Sequence, residues 1–152
     1  MEKKMYEAKQ IAEWFVQRAG QDINKGGEYL TQLKLQKLLY YAQGFFMALN
    51  NGQKLFSDEI YHLQYGPAVK KLMKLLKPFG NDPILTLNIK LPQFDDDTLA
   101  VLELVYQKLG QYSAFKLVEL THNETPWLNS QQGKIISSED IYLFFKKEYI
   151  QA

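Results

Sequence analysis

Hydrophobic positions recur at helical spacing along most of the chain, and one stretch organises the rest. Between Thr31 and Asn50, TQLKLQKLLYYAQGFFMALN, the residues Leu35, Leu38, Leu39, Ala42, Phe46 and Leu49 fall at three- and four-residue steps. That period puts them on one face of an α-helix. Thr31 suits the N-cap, because its hydroxyl can accept from an early backbone N–H that lacks a helical partner. Asn50-Asn51-Gly52 suits the stop, since Asn and Gly tolerate the left-handed conformation on which helices often end. The opposite face carries Leu33, Lys37, Tyr40, Tyr41 and Gly44, so it is not a plain water-facing back. A helix apolar round most of its circumference is buried by several neighbours. This helix is expected at the centre of the fold.

The rest of the pattern predicts smaller elements. Met5–Ala19 reads as a first helix, with Ala8, Ile11, Ala12, Phe15 and Val16 in a stripe. Ile60 and Tyr61 begin a β-rich run that ends at Gly66-Pro67, which predicts a short strand. Pro67 suits the first turn of a helix, here expected to run to about Lys77. Ile84–Leu91 alternates, with Leu85, Leu87, Ile89 and Leu91 against Thr86, Asn88 and Lys90, the period of a half-buried strand. Asp95-Asp96-Asp97 places carboxylates at the N-terminus of a helix that Gly110 ends, where they complement its partial positive charge. Ser113 caps a further helix reaching Thr121-His122. Asn123–Lys134 reads as a loop, and Ser137 or Ser138 opens the last helix, with Ile141, Phe144, Phe145 and Tyr149 as its apolar face. The predicted fold is mainly α (α+β): one compact helical domain over residues 1–152, built round the helix at 31–50, with a small two- or three-stranded antiparallel sheet.

Composition narrows the function classes. Hydrophobic content of 46% and aromatic content of 14% are globular values that exclude a disordered chain. Net charge is +1, from 18 basic and 17 acidic residues, so no global field draws nucleic acid or anionic lipid. Absence of cysteine removes disulfides, thiolate zinc sites and Cys nucleophiles. The polar start, MEKKMYEAKQIAEW, lacks the apolar core of a signal peptide, and no apolar run is long enough to span a membrane. A cytoplasmic protein is expected.

His62, His122 and Glu124 are the obvious ingredients for catalysis or a metal. Their spacing does not set two ligands on one helical face, and no nucleophile-elbow, P-loop or zinc-helix motif occurs. A small metal-dependent hydrolase therefore ranks last among the readings, and no catalytic, cofactor or metal residue is assigned. His122 has a plainer use at a helix C-terminus, where an imidazole can bond free carbonyls. Lys70, Lys71, Lys74 and Lys77 line one predicted helix; without a second basic patch they read as a solvated face. The ten tyrosines are more informative. Tyr40, Tyr41, Tyr61 and Tyr65 fall in the two segments that look central, and both cores and protein interfaces use such side chains.

The order of several motifs points to a family. KLQKLLYYAQGF (Lys34–Phe45), LFSDEI (Leu55–Ile60), YGP (Tyr65–Pro67), LTHNETPW (Leu120–Trp127) and ISSEDI (Ile136–Ile141) follow one another along nearly the whole chain. In this the sequence resembles the Panacea domain, the SocA-like or phage-associated GepA-like group of antitoxins. It departs from that pattern between Ile60 and Tyr65, where the family usually carries a Trp and this chain has Tyr61-His62-Leu63-Gln64. The resemblance implies an antitoxin that neutralises a cognate toxin encoded nearby by direct protein–protein binding. It also implies an alternative, an adaptor that delivers its client to a AAA+ protease. The residues expected to serve the partner are Lys37, Tyr40, Tyr41, Tyr65, Gly66, Pro67, His122 and Trp127.

Overall fold

Every residue from Leu35 to Met47 is buried, so the longest helix has no water-facing side over that length. In the computed structural model, which describes residues 5–150, this helix is α2, Gln32–Leu49. Around it stand α1 (Ala8–Gln21), the hairpin β1 (Ile60–Leu63) and β2 (Gly66–Val69), and α3 (Met73–Leu76). The remaining elements are α4 (Asp96–Leu109), α5 (Ala114–His122), α6 (Thr125–Leu128) and α7 (Ser138–Tyr149). α1, α4, α5, α7 and β2 all pack on α2. The mainly helical fold with a small antiparallel sheet is the one expected.

The caps are those the sequence predicts. Thr31 Oγ1 accepts from Lys34 N at 3.5 Å, Asp95 from Thr98 N at 2.7 Å, Ser113 from Lys116 N at 3.1 Å, and Ser137 from Asp140 N at 3.2 Å. Beyond α2, Asn51 and Gly52 take positive φ. Leu49, expected on the buried stripe, is exposed instead; burial stops at Met47, two residues before the helix does.

α1 begins at Ala8 rather than Met5 because Tyr6 is held extended. Tyr6 N donates to Leu55 O at 2.8 Å and Tyr6 O accepts from Ser57 N at 3.2 Å. Two larger expectations are overturned. Pro67 lies in β2, not in the first turn of a helix, and pairs opposite His62. The two-residue turn Gln64-Tyr65 reverses the chain, so the β period continues past the proline, and helical structure begins only at Lys70. Nor does Ile84–Leu91 form a strand; Leu85 is exposed while Leu87 is buried. Its backbone hydrogen bonds go elsewhere. The buried Glu13 carboxylate of α1 accepts from Leu87 N at 2.7 Å and Ile89 N at 3.3 Å, so no partner strand is needed. The segment expected as a loop at 123–134 contains α6, with Pro126 in its first turn.

α2 holds its neighbours through buried polar side chains as well as apolar ones. Gln36 behaves like a strand neighbour of β2: its Oε1 accepts from Val69 N at 2.8 Å and its Nε2 donates to Val69 O at 3.2 Å. Two turns on, Gln43 Oε1 accepts from Leu55 N at 2.8 Å, and its Nε2 donates to Phe56 O at 2.9 Å. These bonds satisfy backbone groups that burial would otherwise leave unpaired at high cost. On the opposite edge of β1, His62 N donates to Lys134 O and Ile136 N to Ile60 O, both at 2.8 Å. The hairpin is thus held on both edges. Gly44 allows the closest helix approach: a β-carbon there would stand 2.3 Å from the Phe145 ring of α7.

Candidate functional site

Lys37 is the departure from an ordinary core. Its side chain is 1% exposed, and its Nζ donates to Pro67 O at 3.1 Å. It forms no ion pair among the described residues, and burial alone pushes its ammonium down to about 7. Lys37 is buried because it stands mid-helix under the hairpin turn. Gly66, at φ +114°, passes directly above it.

Over Lys37 opens a groove of about 580 Å³. The first half of α2 gives Leu33 and Lys37, the hairpin gives Tyr65 and Gly66, and Met73 and Phe115 close it from α3 and α5. Tyr65 is 60% exposed, Met73 41% and Phe115 82%. Large apolar side chains scattered singly on a surface need no explanation, but here three stand around one groove.

A second cluster lies beneath. Glu124, the N-cap residue of α6, is 6% exposed. Its Oε1 accepts from Tyr40 Oη at 2.8 Å, and its Oε2 from Tyr41 Oη at 2.8 Å and Tyr149 Oη at 3.0 Å. Burial raises the carboxyl above the usual range, and the tyrosine hydrogen bonds oppose that rise. Burial and the nearby carboxylate push the hydroxyls of Tyr40 and Tyr41 far upward, so both stay protonated donors. Edge-on contacts of Phe145 with Tyr40, Tyr41 and Phe45 fill the space between α2 and α7.

The third cluster is a stack. Trp127 lies between His62 of β1 and His122 of α5, with ring centroids 3.4 Å and 4.5 Å away and each pair 19° from parallel. His62 Nδ1 lies 2.8 Å from Ser130 Oγ. Among the described residues the buried His122 Nε2 has no partner, and the C-cap of α5 is Asn123, not this imidazole. Burial lowers both imidazoles, with His122 adding to the effect on His62 and Lys37 to that on His122.

The eight residues singled out from sequence therefore divide three ways. Lys37, Tyr65 and Gly66 line the groove, and Pro67 is joined to them only through its carbonyl, which accepts from Lys37 Nζ. Tyr40 and Tyr41 converge on Glu124, and His122 stacks with Trp127. Packing leaves none of Lys37, Tyr40 and Tyr41 on the surface. His62, His122 and Glu124 do not form one constellation: the imidazoles face the indole while the carboxylate is engaged by three hydroxyls. Among the described residues no group of three His, Asp or Glu side chains is arranged to hold a metal ion. Sequence reasoning missed Met73 and Phe115. Phe115 did carry a signal, standing beside Lys116 and off the Leu117 stripe of α5. A second groove, of about 510 Å³, lies where Lys34 meets Gly110. Of its lining groups, Asp22 accepts from Arg18 and from Tyr106 Oη, and Lys34 Nζ donates to Gly110 O.

A family model for the antitoxin SocA-like, Panacea domain matches residues 35–128. Lys37, Tyr65, Met73, Phe115 and Glu124 all lie inside that match. No curated protein and no solved structure matches the chain.

Proposed function

The chain belongs to the SocA-like Panacea antitoxin family, and from that premise we propose that it neutralises a toxin by binding it directly, in the groove beside the β1–β2 turn. One observation carries the reading. Tyr65, Met73 and Phe115 come from three separate segments and expose their apolar atoms around a single groove with Lys37 at its floor. A few buried aromatic or charged anchors supply most of the affinity in protein interfaces. Tyr65 makes the contact, Lys37 stands at the groove floor, and the buried Gly66 and Pro67 set the turn that presents Tyr65. Tyr40, Tyr41, His122 and Trp127 act from behind it, fixing α2 and β1 against α5 and α6. The surface is prefolded, so binding does not require ordering of a disordered segment.

The test is co-expression with a neighbouring gene that is toxic alone. Wild-type chain restores growth and copurifies with the product. The double variant Tyr65→Ala, Phe115→Ala loses both while keeping its melting temperature, since both side chains are already exposed. Full neutralisation by that variant overturns the groove as the docking face. Toxin half-life stays unchanged when blocking is the mechanism, and shortens when the chain delivers its client to a AAA+ protease.

A further inference from the structure

A lysine is an extravagant choice for holding one backbone carbonyl. The same helix holds β2 and the loop at Leu55-Phe56 with Gln36 and Gln43, neutral side chains that match the backbone donor for acceptor. An ammonium has three donors, and among the described residues Lys37 uses one of them, on Pro67 O. A buried charge without an anion is costly. The floor of the groove therefore holds a buried amine with donors to spare, and an anion brought to it would hold its charge in place.

Its surroundings reinforce the sign. None of the residues lining the groove is acidic. From Ile60 to Asn81, the stretch that forms the hairpin and the Met73 wall, the sequence carries Lys70, Lys71, Lys74 and Lys77 and no Asp or Glu. All four lysines are exposed. Gly66 leaves no side chain over Lys37, and a β-carbon there would collide with the lysine itself. The rim is apolar on several sides, at Tyr65, Met73 and Phe115.

We infer that the groove takes a through-running segment of the partner in which one acidic side chain, flanked by apolar residues, enters to pair with Lys37. The inference rests on the groove being the docking face and adds the chemistry of what docks. A segment crossing the groove covers the rim residues on their separate sides at once, which a chain end entering from one side does not. The carboxylate is therefore placed on a side chain and not on a C-terminus.

The test is selection on the full chain from two libraries of short random peptides, one displayed as an internal loop and one with a free C-terminus. Binders come from the internal library. They share one Asp or Glu among apolar residues, and Tyr65→Ala with Phe115→Ala abolishes their binding. Changing that acid to its amide weakens binding to the wild-type chain by roughly thirtyfold, a measurement that needs no variant of this protein. Selection on Lys37→Met yields apolar peptides without the acid. Groove binders lacking any acid, or an amide change without effect, overturn the pairing and leave the docking face standing. Binders confined to the free-terminus library overturn the choice of a side chain, as does a DNA or RNA oligonucleotide that competes for the groove overturn the choice of a peptide. Binders indifferent to Tyr65 and Phe115 overturn the docking face itself.

Discussion

A β-carbon on Gly66 would stand 2.6 Å from Lys37 Cε. Glycine is required there twice, because its φ of +114° is also one that other residues rarely adopt. Gly66→Ala collides with a buried side chain and strains the turn, and is expected to destabilise by about 3 kcal/mol. Urea denaturation reads this as a lower midpoint. At a permissive site Gly→Ala would stabilise slightly through the unfolded chain, so an unchanged midpoint contradicts the collision.

Lys37→Met removes a buried charge while keeping the stem that fills the space. The variant gives up one hydrogen bond to Pro67 O but is expected to be more stable near neutral pH, by about 2 kcal/mol. The sign with pH is definite. The folded lysine titrates at about 7 and the unfolded one near 10.4. Between these values the unfolded chain binds more protons, so stability rises with pH. Wild type shows this contribution from about pH 7 upward, and Lys37→Met lacks it. Equal slopes for the two proteins in that window refute the burial argument.

Glu124→Ala leaves the hydroxyls of Tyr40 and Tyr41 buried without their acceptor. A loss of roughly 4 kcal/mol is expected. Glu124→Gln keeps one oxygen acceptor and adds an amide donor that a hydroxyl can accept, so its loss is smaller. The native carboxyl is raised by burial, so the folded protein holds a proton where the unfolded chain has released it. Stability from this group falls as pH rises from about 4.3. Glutamine abolishes that slope, which a series of thermal melts across the acid range detects.

The stacked imidazoles act in the opposite sense. Burial lowers both His62 and His122, so below about pH 6.5 the unfolded chain takes up protons the folded form resists. Melting temperature falls with acidification in that window. His122→Phe preserves a flat ring against Trp127 and removes the unpartnered Nε2. It is expected to match or exceed wild type at neutral pH and to lose less on acidification, as followed by circular dichroism.

The sequence disclosed α2 well because its signals agreed: a capping threonine, an Asn-Asn-Gly stop and apolar residues on every side. The helices at 96–109, 114–122 and 138–149 were equally legible from Asp95, Ser113 and Ser137. What misled was local pattern overruled by a distant side chain. Leu85–Leu91 alternates like a strand, yet Glu13, more than seventy positions away, takes its backbone N–H groups. Pro67 looked like a helix start because its place opposite His62 depends on a hairpin turn that carries no Asn-Gly signature. At the site, Tyr65-Gly66-Pro67 and Lys37 were legible as a group worth attention. Their juxtaposition, and the company of Met73 and Phe115, arise from tertiary packing that no single window of sequence contains.

The manner in which α2 grips the hairpin has a consequence for change over time. Gln36 binds the main chain of Val69 and Lys37 the main chain of Pro67; neither bond is made to a hairpin side chain. Gln64 and Tyr65, at the tip, take no part in the clamps and are exposed. If the groove docks the partner as proposed, substituting them alters what is recognised without moving the frame that presents it. The mount is fixed and the fitting is interchangeable, so a new specificity can be acquired by replacing tip residues alone while the fold beneath remains the same.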